Sequence, residues 1–369
     1  MSDIADLSKG IGISKDQLSA DGEPCILYGE LYTKYKSETI KEVISKTNID
    51  NTKLVKSKAN DVIIPCSGET AEEIATARCV LKDDILLGGD LNIIRLHGYD
   101  GSFMSYQLNG KRKYDIAKVA QGVSVVHLYG EHLKNIKTIN PSLNEQKKIA
   151  NLLFLLDDRI STQNKIIEDL KKLKSAIIEI EYSSKTKTSS HIGDFIVQTS
   201  KRNKDNAIQT VLSVSNRQGF IQQSEQFENR CVASDDTSNY KIVERNDFAF
   251  NPARINVGSI ARLITFEKGI VSPMYICFRT KDYATPEYLD YFFESKLFFT
   301  EIQKRLEGSV RQCLSYESLC NVPFPLLAIE VQQRIGKQLS TLAQKIKLET
   351  DFLEILHKQK QHLLRQMFI

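Results

Sequence analysis

From Asn144 to Glu179 the chain keeps a strict heptad step. Ile149, Leu153, Leu156, Ile160, Gln163, Ile167, Leu170, Lys174 and Ile177 follow one another at alternating spacings of four and three. That a/d rhythm belongs to a helix that offers one narrow seam to a partner helix. The partner is in the same chain. Adding 186 to each position gives Ile335, Leu339, Leu342, Ile346, Glu349, Leu353, Leu356, Lys360 and Leu363. Apolar falls on apolar throughout, and the polar interruptions Gln163/Glu349 and Lys174/Lys360 coincide as well.

The same offset recurs outside the helices. Asn60-Asp61 returns as Asn246-Asp247, Ile74-Ala75 as Ile260-Ala261, and Gly122, Glu131, Leu133 and Asn135 as Gly308, Glu317, Leu319 and Asn321. A duplicated globular domain plus helix accounts for this. The predicted fold class is α+β, with two α/β domains in tandem, each followed by a long helix. The expected boundaries are a first domain at 1–141, a helix at 142–182 and a polar linker at 183–190. A second domain at 191–327 and a second helix at 328–369 complete the chain. Pro24–Tyr28, Asp61–Pro65, Asp84–Leu87 and Leu91–Leu96 are expected as strands, Gly122–Leu128 as a strand or approach loop, and Ser105–Ile116 as a helical stretch. Ser142, with Glu145 three residues on, predicts a capping box at the start of the first helix. Helices of roughly 40 residues run about 60 Å, and a linker as short as 183–190 cannot retrace that length. The pair is therefore expected to be antiparallel and pseudo-twofold, with Gln163 and Glu349 forming a polar layer near its middle.

Composition narrows the class of protein. Hydrophobic residues make up 41% and charged residues 26%, ordinary for a chain with a real core. No run of about 18 apolar residues exists to span a membrane, and Met1-Ser2-Asp3-Ile4 lacks the plan of a signal peptide. Seven cysteines, odd in number and never in C-x-x-C spacing, point to reduced thiols and a cytoplasmic location, against a zinc site or disulfide frame. A net charge of +4 permits nucleic-acid binding without requiring it.

Catalytic and cofactor motifs are missing. Gly10-Ile11-Gly12 has no third glycine, and no P-loop or G-x-S-x-G elbow occurs. His127 and His132 stand five apart without a carboxylate arrangement for a metal. Asn251-Pro252-Ala253-Arg254 resembles the Asn-Pro-Pro-aromatic motif of amino-methyltransferases but lacks the second proline and the aromatic, so it is read as a turn.

What remains is the chemistry of a binder. Basic residues mixed with aromatics and amides recur: Lys34 and Lys36 beside Tyr32 and Tyr35, then Lys111, Arg112 and Lys113, then Lys201, Arg202 and Lys204. Where the halves diverge, the first has Ser67, the second has Asn251 and Arg254, and Arg311 and Gln312 lie further on. Lysine and arginine neutralise phosphates, while arginine, asparagine and glutamine can read base edges. Any one such run is more often a solvated face than a DNA contact.

Leu143-Asn144-Glu145-Gln146-Lys147-Lys148-Ile149-Ala150, continuing through Leu156-Asp157 to Leu170–Lys174, resembles the conserved-helix signature of type I restriction–modification specificity subunits. Asp247-Phe248, Gly258-Ser259-Ile260, Gly269–Tyr275 and Gly122-Val123-Ser124 are similar to the core of that family's target recognition domains. The resemblance covers essentially the whole chain. In the second helix Gln332 and Ile335 keep the pattern, but the glutamate shifts to Glu330.

The resemblance implies a non-catalytic subunit. Each recognition domain would read one half of a bipartite double-stranded DNA target. The helices would set the gap and dock two methyltransferase subunits. S-adenosylmethionine, ATP and Mg would be carried by those partners and by translocase–nuclease subunits, with no cofactor or metal on this chain. Two rivals are a coiled-coil scaffold joining two proteins without sequence-specific DNA binding, and a DNA-modifying enzyme with its own active site. The first predicts no salt-dependent DNA affinity, the second methyl transfer by the lone chain.

Overall fold

The computed structural model describes residues 1–122, 125–183, 190–216, 218–223, 236–308 and 312–368. The chain forms two compact units. One is Met1–Lys165 together with Thr350–Ile369, the other Ile166–Glu349. Both long helices, Leu143–Glu181 and Ile329–Gln366, therefore contribute a segment to each unit.

The first unit is layered. One sheet has the strand order Ala5–Lys9, Leu91–Leu96, Asp61–Pro65, Arg78–Val80, Thr39–Ile40. A second runs Leu18–Ser19, Ser45–Thr47, Glu23–Ile26, Leu86–Leu87, Val55–Lys56. Asp61–Pro65 is buried along its whole length, because alternate side chains serve different layers. Ile63, Leu91 and Ile93 pack with Ile26 and Leu87 of the second sheet. Val62, Ile64 and Ile94 pack with Met104, Leu108 and Ile116 of the helices. A strand covered on both faces carries consecutive apolar residues, as Val62-Ile63-Ile64 and Ile93-Ile94 do in the sequence.

The second unit repeats the plan. Its first sheet is Ile196–Thr199, Ile276–Thr280, Phe248–Phe250, Ile260–Arg262. The other is Gly219–Gln222, Val211–Ser215, Lys268–Val271, Lys241–Glu244. In the second sheet of each unit one parallel pair is flanked by antiparallel ones: Cys25 and Ile26 against Leu86 and Leu87, and Val211 and Leu212 against Ile270 and Val271. Ala249, Ala261 and Cys277 face the second sheet, while Phe248, Phe250 and Phe278 face Tyr288, Phe292 and Phe298.

Small devices recur with the plan. Asn60 and Asn246 both take a left-handed turn, φ +82° and +70°, a conformation that asparagine tolerates better than most residues. The next residue ties the turn down. Asp61 accepts the Lys58 N–H at 2.8 Å and both arms of Arg95 at 2.9 and 2.6 Å. Asp247 accepts the Glu244 N–H at 2.9 Å and Arg279 at 3.0 Å.

The long helices start on equivalent glutamines. Gln146 accepts the Asp100 N–H at 3.0 Å and donates to the Pro141 carbonyl at 2.8 Å. Gln332 accepts the Thr285 N–H at 3.0 Å and donates to the Leu327 carbonyl at 2.9 Å. Asp100 and Thr285 are themselves the caps of Gly101–Asn109 and Pro286–Phe292, so each glutamine pins a long helix to the start of a short one. The Ser142/Glu145 box forms, with the Ser142 N–H on Glu145 at 3.0 Å and the Glu145 N–H on Ser142 Oγ at 3.4 Å.

Within each unit the long-helix segments run antiparallel. In the first, Leu156 and Ile160 pack with Leu353, Leu356 and Leu363. Ala150, Leu153 and Phe368 close over Phe103 and Tyr106. In the second, Ile177, Ile178 and Tyr182 meet Ile335 and Leu339. The remaining seam positions, Ile149, Gln163, Ile167, Leu170, Leu342, Ile346 and Glu349, are all buried or half-buried.

Several expectations change. Ser105–Ile116 is two helices, Gly101–Asn109 and Lys113–Val119, broken at Gly110. A Cβ on Gly110 would come within 2.8 Å of the Leu364 carbonyl oxygen, so the end of the second long helix demands glycine there. Of Asp84–Leu87 only Leu86–Leu87 pairs as a strand, because Asp84 sits in a left-handed turn, φ +62°. Ile74-Ala75 and Ile260-Ala261 are not structural equivalents. Ile74 ends a short helix capped by Thr70, whereas Ile260 opens a strand. Linker residues 184–189 lie outside the described residues, as do Val123 and Ser124.

Candidate nucleic-acid interface

Each unit folds the same two loops against one another. In the first, the chain leaves strand Asp61–Pro65 into Ser67–Gly68, which pairs antiparallel with Val126–His127. The Leu128 N–H donates to the Cys66 carbonyl at 2.8 Å. In the second, the Leu314 N–H donates to the Pro252 carbonyl at 3.1 Å, the same bond displaced by 186 at both ends. The backbone frame is shared, but the side chains it carries are not.

In the second unit Asn251 builds the turn rather than projecting from it. It is buried, and its Oδ1 accepts the Ala253 N–H at 3.1 Å. That leaves Arg254 exposed just before the turn Ile255–Val257, which closes on left-handed Gly258, φ +87°. Gln312 is exposed beside the Glu307–Cys313 bridge. The Leu314–Pro252 bond thus sets Arg254 and Gln312 on neighbouring loops, an arginine and an amide suited to base edges. Arg311 lies outside the described residues.

The first unit has a different corner. Ser67 is buried and its hydroxyl donates to Asp90 at 3.2 Å. Exposed at the corner instead are His127 and Tyr129, stacked with centroids 6.2 Å apart, with Lys9 Nζ 5.8 Å from the Tyr129 ring centre. His132 meets Tyr129 edge-on at 5.5 Å. Burial pushes the Cys66 thiol up to about 11, so it stays neutral beside Lys9. Lys9, His127 and Tyr129 were missed by a search for basic runs, since none is in one. The 186 offset carried a signal: it places Cys313 and Ser315 opposite His127 and Tyr129.

The other basic residues divide. A cleft of about 660 Å³ is lined by Ser14, Lys15, Tyr28, Glu30, Lys34 and Asp90, and shares Asp90 with the Ser67 corner. Lys34 is committed, 2.5 Å from Glu30 and 2.8 Å from Ser45 Oγ, whereas Lys36 is exposed. Lys111 is exposed, Arg112 pairs with Asp115 at 3.3 Å, and burial holds the ammonium of Lys113 below its usual range. In the second unit Lys201, Arg202 and Lys204 are exposed and share a groove of about 680 Å³ with Lys268. Arg202 also reaches Asn239 at 2.9 Å. The described residues include no group of three or more His, Cys, Asp or Glu that could hold a metal, and no helix among them is long and apolar enough to cross a membrane.

The chain is similar to known proteins in sequence and in fold. Residues 1–172 match the family model of the type I restriction modification DNA specificity domain. The type I restriction enzyme MjaVIII specificity subunit of Methanocaldococcus jannaschii is 23% identical over 397 residues, covering 98% of this chain and 90% of that protein. The S subunit of a type I restriction–modification system from M. genitalium superposes with a TM-score of 0.63 at 16% identity, over 100% of this chain and 94% of that one. A chain from a structure on complex assembly and conformational transition of the type I restriction–modification system superposes with a TM-score of 0.55 at 13% identity. It covers 98% of this chain and 95% of its own.

Proposed function

We propose that the chain is a member of the type I restriction–modification DNA specificity family, whose domain model matches residues 1–172, and that residues 1–141 and 191–327 are target recognition domains, each reading one part of a bipartite DNA sequence. The observation that carries this is the shared corner: one backbone frame at a 186-residue offset, presenting Lys9, His127 and Tyr129 in one unit and Arg254 and Gln312 in the other. A duplicated frame with unlike side chains suits two readers of unlike sequences.

The subunit itself does no chemistry. It contributes specificity to an assembly in which two methyltransferase subunits dock on the long helices and bring S-adenosylmethionine. Translocase–nuclease subunits bring ATP and Mg. The helices hold the gap between the two half-sites, and joining two weak readers raises affinity through effective concentration. Lys36, Lys111, Lys201 and Lys204 supply phosphate contacts, whose loss weakens binding on all sequences alike.

The test is methylation mapping by single-molecule sequencing, with the chain co-expressed with the methyltransferase subunit of its system. A bipartite methylated motif of constant gap is expected, and Arg254→Ala should relax it in one half only. An assembled complex that methylates no motif would favour the scaffold reading instead.

A further inference from the structure

Lysine is an unfavourable seam residue, because a buried ammonium without a partner carries a large desolvation penalty. Yet lysine stands at the same seam position of both helices, Lys174 and Lys360. Each is half-buried, and each has its charge met. Lys360 Nζ lies 2.5 Å from Glu38 and 2.5 Å from Asp157, and 5.9 Å from the centre of the Tyr106 ring. Asp157 is held in turn by the hydroxyls of Tyr106 and Ser37, each donating at 2.8 Å. Lys174 Nζ lies 2.7 Å from both carboxylate oxygens of Glu294 and 5.0 Å from the Tyr291 ring centre.

The partners make the arrangement informative. Asp157 is on the first long helix, but Glu38 precedes strand Thr39–Ile40 of the sheet-bearing layer. Lys360 therefore ties the second helix both to its helical neighbour and to the layer beneath. Glu294 follows helix Pro286–Phe292, so Lys174 likewise ties the first helix to the layer of the unit it enters. Leucine and isoleucine do not define such a setting, since a helix displaced by one step of its repeat puts apolar residues against apolar residues again. The charges do. A slip of three or four residues, about 5 Å, would carry Nζ off its carboxylates and leave Glu38 and Asp157 buried without the ammonium that pairs with them directly.

We propose that Lys360 and Lys174 are register locks. They are positioning residues that hold each long helix at one axial setting on the unit it packs into, and so keep the number of base pairs between the two halves of the DNA target constant. This rests on the function proposed above. A displacement of about 5 Å corresponds to one or two base pairs at about 3.4 Å each, so loss of a lock is read as a change in gap.

The experiment is methylation mapping with the assembled complex, comparing the parent gap with gaps one and two base pairs longer or shorter. Lys360→Met should cut discrimination against the altered gaps by about tenfold or more, with both half-site sequences unchanged. Lys360→Arg, which keeps the charge, should restore it. Lys174→Met should act in the same direction but less, because Glu294 is 49% exposed and can be hydrated instead. Lys360→Met with Glu38→Gln removes one of the two carboxylates that lose the ammonium, and decides the matter if the single variant does not assemble. If neither Lys360 variant assembles, Lys174→Met decides. An assembled variant that keeps the parent discrimination overturns the proposal. A wild-type complex that methylates no bipartite motif would instead overturn the function on which it rests.

Discussion

Asp290 is a carboxylate held in an expensive place. Burial raises it from 3.8 to about 6, against the opposing pull of Arg262, whose Nε lies 3.1 Å away. The folded chain therefore keeps a proton that the unfolded chain releases between about pH 4 and 6. The contribution of this group to stability falls as pH rises through that window and levels off above it. Asp290→Asn removes the titration, so its stability relative to wild type should rise from pH 4 to pH 7 in urea denaturation. A difference independent of pH would refute the assignment. Gln146 gives a second prediction at this scale. It is 1% exposed and satisfies two backbone groups, so Gln146→Ala should cost about 2 kcal/mol by leaving a donor and an acceptor unmet. Denaturant midpoints would show it. The residue scale is also where the sequence was least sufficient. That Lys34 is neutralised could be foreseen, since Glu30 stands one helical turn before it. That Ser67 and Asn251 are buried, and that Tyr129 and Lys9 share a corner, depends on pairings across tens of residues that no local pattern records.

The long helices were legible because a heptad is a local property that survives any tertiary context. Their starts differ, and the difference is measurable. The first has its serine–glutamate box, while the second begins after Ala328, which offers its carbonyl to Val331 and Gln332 but has no side-chain oxygen to cap with. Ser142→Ala should cost about 1 kcal/mol, and Ala328→Ser should gain about 0.5–1 kcal/mol. Thermal unfolding followed by far-UV circular dichroism checks both, and an Ala328→Ser variant no more stable than wild type would tell against the capping argument. Strands were harder to place. Asp61–Pro65 and Leu91–Leu96 declared themselves by apolar runs, but Arg78–Val80 and Thr39–Ile40 are short strands whose identity comes from their neighbours. The repeat offset misled only where one half inserts the short helix Ala71–Ile74.

At the scale of the molecule the first unit is discontinuous and the second is not. Residues 350–368 bring Leu353, Leu356, Leu363 and Phe368 to the first core and Lys360 to Asp157 and Glu38. Truncation after residue 349 should therefore loosen the first unit and spare the second. Limited proteolysis reads this directly, with cleavage expected first within residues 1–141, and equal protection of both units would contradict it.

The same discontinuity imposes an order on birth. The ribosome delivers residues 1–165 early, but the segment that completes their fold emerges only after the whole of the second unit. At about 5–20 residues per second the wait is on the order of 10–40 s. The unit begun first is thus closed last, and throughout that interval its apolar flank is open to chaperones, proteases and neighbouring nascent chains.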